Sequence, residues 1–119
     1  MASTFKTIVT GVVTLVLIAT VSRIEPPVHA QEAGTEVQIS VKNHRFQPTE
    51  IRAAANKPIT LRVKNLDATP MEFESVTLRV EKVVTGNSEG IIRLRALSPG
   101  RYEFFDDFHP ESRGTLVAQ

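Results

Sequence analysis

No cysteine occurs anywhere in the 119 residues. That absence excludes disulfides, thiolate metal sites and thiol nucleophiles, and by itself leaves the compartment open. An excess of charge of one sign is missing too, with 14 Lys+Arg against 13 Asp+Glu. Residues 1–30 hold only Lys6, Arg23 and Glu25 of these, so the remainder is balanced at 12 of each. A chain so close to neutral has no electrostatic footprint for nucleic acid, DNA included, and no polybasic patch for anionic lipid. There is no Ser/His/Asp triad and no phosphate-binding loop. Helical periodicity is absent after residue 30. The apolar run Ile8–Val21 falls short of the roughly 18 residues that span a bilayer as a helix.

What that run does fit is the h-region of a secretory signal, preceded by the single charge of Lys6. Val28-His29-Ala30 follows, with short side chains where a signal peptidase reads. The expectation is a signal peptide over residues 1–30, cleavage after Ala30, and one domain over residues 31–119. Arg23, Glu25 and Pro26-Pro27 keep an uncleaved membrane anchor open as the other reading.

Beyond residue 30 the apolar period is two, as half-buried antiparallel strands require. Val37, Ile39 and Val41 alternate with Glu36, Gln38 and Ser40. Ile59, Leu61 and Val63 alternate with Thr60, Arg62 and Lys64. Ile92, Leu94 and Ala96 alternate with Arg93 and Arg95, and Tyr102 and Phe104 with Arg101 and Glu103. Turn chemistry separates the runs at Asn56-Lys57-Pro58, Gly86-Asn87-Ser88 and Ser98-Pro99-Gly100. In the last of these, Pro99 and a positive-φ Gly100 suit the centre of a type II turn. Short strands at this spacing indicate a β-sandwich or barrel. Only Met71–Val84 departs from the pattern. Its parity breaks near Glu74-Ser75, which reads as a strand end, a loop or single helical turn, and a further short strand.

Three segments carry a family resemblance. Val41–Ile51 (VKNHRFQPTEI), with Pro58–Asn65 (PITLRVKN), Asp67 and Pro70, resembles the first half of a cupredoxin. Ser98–Val117 (SPGRYEFFDDFHPESRGTLV) resembles the second half more closely. The resemblance implies an all-β, Greek-key β-sandwich. Blue copper proteins of this kind follow a Pro-Gly-x-Tyr strand with a ligand Cys, two residues, a ligand His, then a Met and Gly-Thr-Leu. Here Asp106 stands in place of the Cys, His109 keeps the His, Ser112 falls at the Met, and Met71 after Pro70 replaces the upstream His. The thiolate responsible for colour and fast electron transfer is gone, so a blue copper electron carrier is excluded. Glu72–Ser75, Leu78, Glu81–Val84 and Phe104–Pro110 are similar to the periplasmic cupredoxin component of bacterial Ftr-type and EfeO-type ferrous iron uptake systems.

The candidate metal ligands are Met71, Glu72, Glu74, Glu81, Asp106 and His109. Asp106 has the core-facing parity of Tyr102 and Phe104, and a buried carboxylate needs a cation, a hydrogen-bond cluster or a proton. Asp107 points the other way and reads as a solvated charge; His44 reads as a surface histidine. Oxygen ligands suit iron or manganese, whereas imidazole and thioether lean towards copper. The expected cofactor is therefore a divalent metal, copper or iron. The function that the resemblance implies is a periplasmic metal-binding protein assisting ferrous iron oxidation or delivery. Its partner would be an iron permease or a periplasmic iron-binding protein, and the chain itself a monomer or weak homodimer. A ferroxidase in its own right and a metal-free adaptor that docks a partner remain alternatives. Mass spectrometry of periplasmic protein should find an N-terminus within a residue or two of Gln31; an intact N-terminus in a membrane fraction would contradict the export reading.

Overall fold

The computed structural model describes residues 34–119 and the isolated positions Ser3, Thr4 and Gly11. Apart from those three positions, the export segment and its cleavage site lie outside the described residues. Within them there are nine strands and no helix: β1 (Glu36–Lys42), β2 (Arg45–Gln47), β3 (Glu50–Ala53), β4 (Ile59–Asn65), β5 (Met71–Ser75), β6 (Val80–Val84), β7 (Ser88–Leu94), β8 (Gly100–Asp106) and β9 (His109–Ala118). They form a four-stranded sheet, β2-β1-β4-β7, and a five-stranded sheet, β3-β9-β8-β5-β6. The β1–β4 and β3–β9 pairs are parallel and the other ladders antiparallel. The all-β sandwich expected from the sequence is the fold observed.

Period-two patterning does what it must in such a fold. Ile39 and Val41 of β1, with Ile59, Leu61 and Val63 of β4, turn inward to exposures of 1% or less. Across the sandwich, Phe73 and Phe104 stack with ring centroids 4.9 Å apart, and Phe46 meets Phe104 edge-on at the same distance. Offset and edge-on contacts of this kind are the favoured geometries of aromatic rings.

Three expectations need correction. Parity does not break at Glu74-Ser75: Met71, Phe73 and Ser75 face inward throughout β5 while Glu72 and Glu74 take the other face. The break comes afterwards, in the turn before β6, where Arg79 takes φ 54° and Leu78 is buried; the expected strand end, turn and further short strand are otherwise as read. Gly100 has no positive φ; it opens β8 opposite Ala118 and is extended. The Ser98 carbonyl is instead fixed by the Tyr102 hydroxyl, which donates to it at 2.8 Å. Finally, Ala96 lies beyond the end of β7 and is exposed, and Leu97 is the residue that enters the core.

Loops gather at one end of the sandwich. The Asn43-His44 hairpin tip has two positive φ angles, 51° and 59°, the twist that a tight two-residue hairpin needs. Asp67, in the β4–β5 loop, accepts both tip N–H groups at 2.8 Å. Its own carbonyl accepts the Asn87 N–H. Asn65 Nδ2 donates to the Thr69 carbonyl, so three loops are tied together there. On the neighbouring strand, a Cβ on Gly114 would overlap the Phe104 ring and approach the Thr49 carbonyl to 3.0 Å. Gly114→Ala should therefore cost about 1–3 kcal/mol by overpacking, read as a lowered urea midpoint at unchanged slope.

Candidate metal centre

The six candidate ligands do not converge on one point. Asp106 and His109 meet at the loop end of the sandwich, on the inward side of the β8–β9 hairpin. Asp106 is wholly buried. Its Oδ1 accepts the Glu72 and Phe108 N–H groups at 3.0 Å each. Its Oδ2 lies 3.2 Å from His109 Nδ1. Of the three ways to accommodate a buried carboxylate, the fold uses the hydrogen-bond cluster. Met71 shares the inward face of β5 with Phe73 and belongs to the hydrophobic core, at 1% exposure.

His44 is more than the surface residue it resembles in the sequence. Its ring stacks on that of His109, centroids 3.7 Å apart and planes 19° from parallel. His44 Nδ1 is 3.8 Å from Asp67 Oδ2. Two aspartate–histidine pairs thus stand face to face: His109 Nδ1 is within hydrogen-bond reach of Asp106, whereas Asp67 is bonded to the His44 backbone N–H rather than to its ring. The Asp67 carboxyl is held below the usual carboxylate range, first by the His44 N–H and also by that of Asn43. Nothing local in the sequence marks His44. Its partners lie 23 residues away (Asp67) and at His109, and only the loop packing joins them.

The glutamates occupy the other side of the same sheet. Glu72 and Glu74 alternate with core residues on β5 and so face outward, and Glu81 of β6 lies directly opposite Glu74. Asp107, read from the sequence as a solvated charge, completes the group. Carboxylate oxygens of Glu72, Glu74 and Asp107 lie within 4.8 Å of one another. Glu72 is 9% exposed although its charge sits among other acids. The Asp107 N–H donates to the Glu72 carbonyl at 2.9 Å, which brings the hairpin tip over the strand. The neighbouring Glu81 carboxyl, burial, and the charges of Asp107 and Glu74 push the Glu72 carboxyl up. Burial, then Asp107 and Glu81, do the same to Glu74.

The blue copper group of the fold family can be tested against these residues, and they do not fit it. The position of the thiolate is a carboxylate whose oxygens already accept two backbone N–H groups and face an imidazole nitrogen. A carboxylate offers a hard oxygen where that centre needs soft sulfur. The outward acid group has the opposite chemistry, several hard oxygens with no nitrogen or sulfur among them.

The acid group also carries a definite pH signature. A carboxyl with a raised folded pKa binds more protons folded than unfolded, so its contribution to stability is lost as pH rises from the ordinary value of about 4.3 through the raised one. For Asp67 the sign is reversed: its contribution is present above the ordinary value and is lost as pH falls through the lowered one. Metal-free protein should therefore melt at a lower temperature at about pH 7.5 than at about pH 5. Glu81→Gln, which removes one of the repelling charges, should reduce that difference. An unchanged pH profile in the variant would show that the acids do not interact.

The comparisons with known proteins agree with this architecture. The family model described as "Cupredoxin-like domain" matches residues 9–118. An uncharacterized protein of Rickettsia prowazekii (strain Madrid E) is 40% identical over 77 residues, which are 65% of this chain and 62% of that protein. The fold resembles reduced auracyanin from Roseiflexus castenholzii with a TM-score of 0.62 and 14% identity, covering 74% of this chain and 99% of the other. It also resembles the metal-binding domain of the Streptococcus pneumoniae D39 Cu(I)-exporting P-type ATPase, solved with Cu(I), at a TM-score of 0.61 and 15% identity over 71% and 84% of the two chains. A purple cupredoxin from Nitrosopumilus maritimus matches at a TM-score of 0.55 and 16% identity, over 70% and 99%. By sequence and by architecture, this chain belongs to the cupredoxin-like domain family.

Proposed function

We propose that this protein is a periplasmic metal-binding member of its family, and that its metal sits on the outward acid group rather than at the position of the blue copper centre. The observation that carries this reading is Glu72, nine-tenths buried and within 4.8 Å of the carboxylate oxygens of Glu74 and Asp107. Glu81 adds a further charge across the β5–β6 ladder. A carboxylate crowded by like charges is relieved by a cation. Oxygen ligands without nitrogen or sulfur favour a hard ion, so between copper and iron this group favours iron. The iron is then cargo, held for oxidation elsewhere or for delivery to a permease or a periplasmic iron-binding partner. That role accords with the likeness of Glu72–Ser75, Glu81–Val84 and Phe104–Pro110 to the iron-uptake cupredoxins.

Fe(II) under anaerobic conditions, Mn(II) and Cu(II) are the probes. A metal held at about 100 times its Kd stabilises by about 2.7 kcal/mol, a melting shift on the order of 10 °C for a domain of this size. Glu72→Gln and Glu74→Gln should remove the Fe(II) and Mn(II) shifts, and His109→Ala should leave them in place. Loss of the shifts with His109→Ala and not with the glutamate variants would move the site to the Asp106–His109 pair. Cu(II) should give weak ligand-field absorption only; an intense visible band would contradict the donor assignment.

A further inference from the structure

β7 closes one side of the four-stranded sheet, and only β4 pairs with it. Among the described residues, no backbone hydrogen bond leaves its other edge. An unpaired edge presents a row of N–H and C=O groups on which another strand can be built, and proteins blunt such edges by shortness, charge or irregularity. The other three edge strands each carry such a device. β2 has three residues and β3 four. β6 turns Lys82 inward: it pairs with Phe73, which faces the core. β7 has none of these devices. It runs seven residues in unbroken register with β4, holds no proline, and keeps both of its charged side chains on the outer face.

β6 leaves this edge open. It packs beneath β4 and β7 together, and a Cβ at Gly90 would come within 2.7 Å of the Val84 side chain. It therefore covers the inner face of β7 and not its side.

The outer face of β7 is complementary to itself. Glu89, Ile91 and Arg93 occupy it in that order, with the acid and the base equally far from Ile91. Antiparallel pairing about a two-fold axis at Ile91 sets Glu89 of one copy opposite Arg93 of the other, twice. The whole strand is then used, Ser88 falling opposite Leu94. Directly opposed residues share a face, where opposite charges stabilise the pair and like charges destabilise it. Arg93 forms no ion pair among the described residues. Glu89 meets Arg62 through Oε1, which leaves Oε2 for a second guanidinium.

We propose that β7 is a homodimerisation edge, through which two copies pair antiparallel about a two-fold axis at Ile91 and join their four-stranded sheets into one of eight strands. A two-fold contact closes on itself, so association stops at the dimer. One seven-residue ladder is a small contact beside the roughly 1,200–2,000 Å² of stable interfaces, so the dimer is weak and concentration-dependent. The pairing uses the sheet opposite the acid group and does not depend on metal binding there.

Sedimentation equilibrium of metal-free protein, expressed as the full chain, should show monomer and dimer and no larger species. Arg93→Glu sets acid against acid at both ends of the ladder and should weaken the dimer about tenfold or more. Glu89→Arg sets base against base and should do the same. An equimolar mixture of the two variants restores opposite charges at both ends and should dimerise as the wild type does. Arg45→Glu, at the far edge of the same sheet, should change the affinity by less than about twofold. If Glu89→Arg fails to fold, amide hydrogen exchange of the wild type still decides: protection should rise with concentration along β7 and not along β2. A wild type that stays monomeric into the millimolar range would overturn the proposal. So would a dimer that Arg93→Glu leaves intact, or a mixture of the two folded variants that stays monomeric.

Discussion

The carboxylate of Asp106 is the contact on which the working end of this molecule depends. One of its oxygens accepts the Glu72 and Phe108 N–H groups, and the other faces His109. Those three partners belong to β5, to the hairpin tip and to β9. A hydrogen bond to a charged group contributes roughly 1.5–3 kcal/mol, and a buried donor stripped of its acceptor costs about 1–3 kcal/mol. The group that replaces the family's metal ligand therefore does by hydrogen bonding what a metal does by coordination. It clamps the strand end, the turn and the histidine into one arrangement. The same clamp fixes Glu72, whose carbonyl accepts Asp107 N–H. Asp107 is thereby brought over the outward face of β5, beside Glu72 and Glu74.

Much of this was legible in the sequence and some of it could not have been. Alternation in β1, β4 and β8 identified the strands because each has one wet face and one dry one. The inward parity of Asp106 followed from Tyr102 and Phe104 by counting residues. The break expected at Glu74-Ser75 falls instead in the turn after Ser75. That Glu72 is little exposed on the outward face was not legible either, because the hairpin that reaches it, through Asp107, is more than thirty residues away. Register between β5 and β8, Phe73 opposite Asp106, is not written in either strand alone. Without it Asp107 looks like a solvated charge. His44 was missed for a related reason: its stacking on His109 depends on how Asp67 ties the hairpin tip to the β4–β5 loop.

The electrostatics of the two faces differ because their solvation differs. On the inward side, Asp106 is surrounded by hydrogen-bond donors. On the outward side, the acids meet mostly one another, and both Glu72 and Glu74 are pushed towards their neutral forms. An arrangement that lowers stability at neutral pH, on a surface where any of these side chains could turn to water, calls for a compensating benefit. The proposed cation capture would supply one, and a group open on one side with no soft donor would favour an ion that leaves again.

Strand geometry finally decides how the two groups relate. Successive residues of a strand point to opposite faces, so the Glu72 side chain cannot join Asp106 and His109 in a single coordination sphere, although its backbone N–H is bonded to Asp106. A single six-ligand centre would need β5 to turn over between Met71 and Glu74, and its ladder with β6 runs without a register shift from Met71 to Ser75. The inherited position and the acid group are thus separated by one layer of peptide and connected through it. Any change that releases Asp106 from Glu72 also frees the strand that presents the acids. The closed Asp106–His109 pair is then best understood as the support that holds the outward group in place.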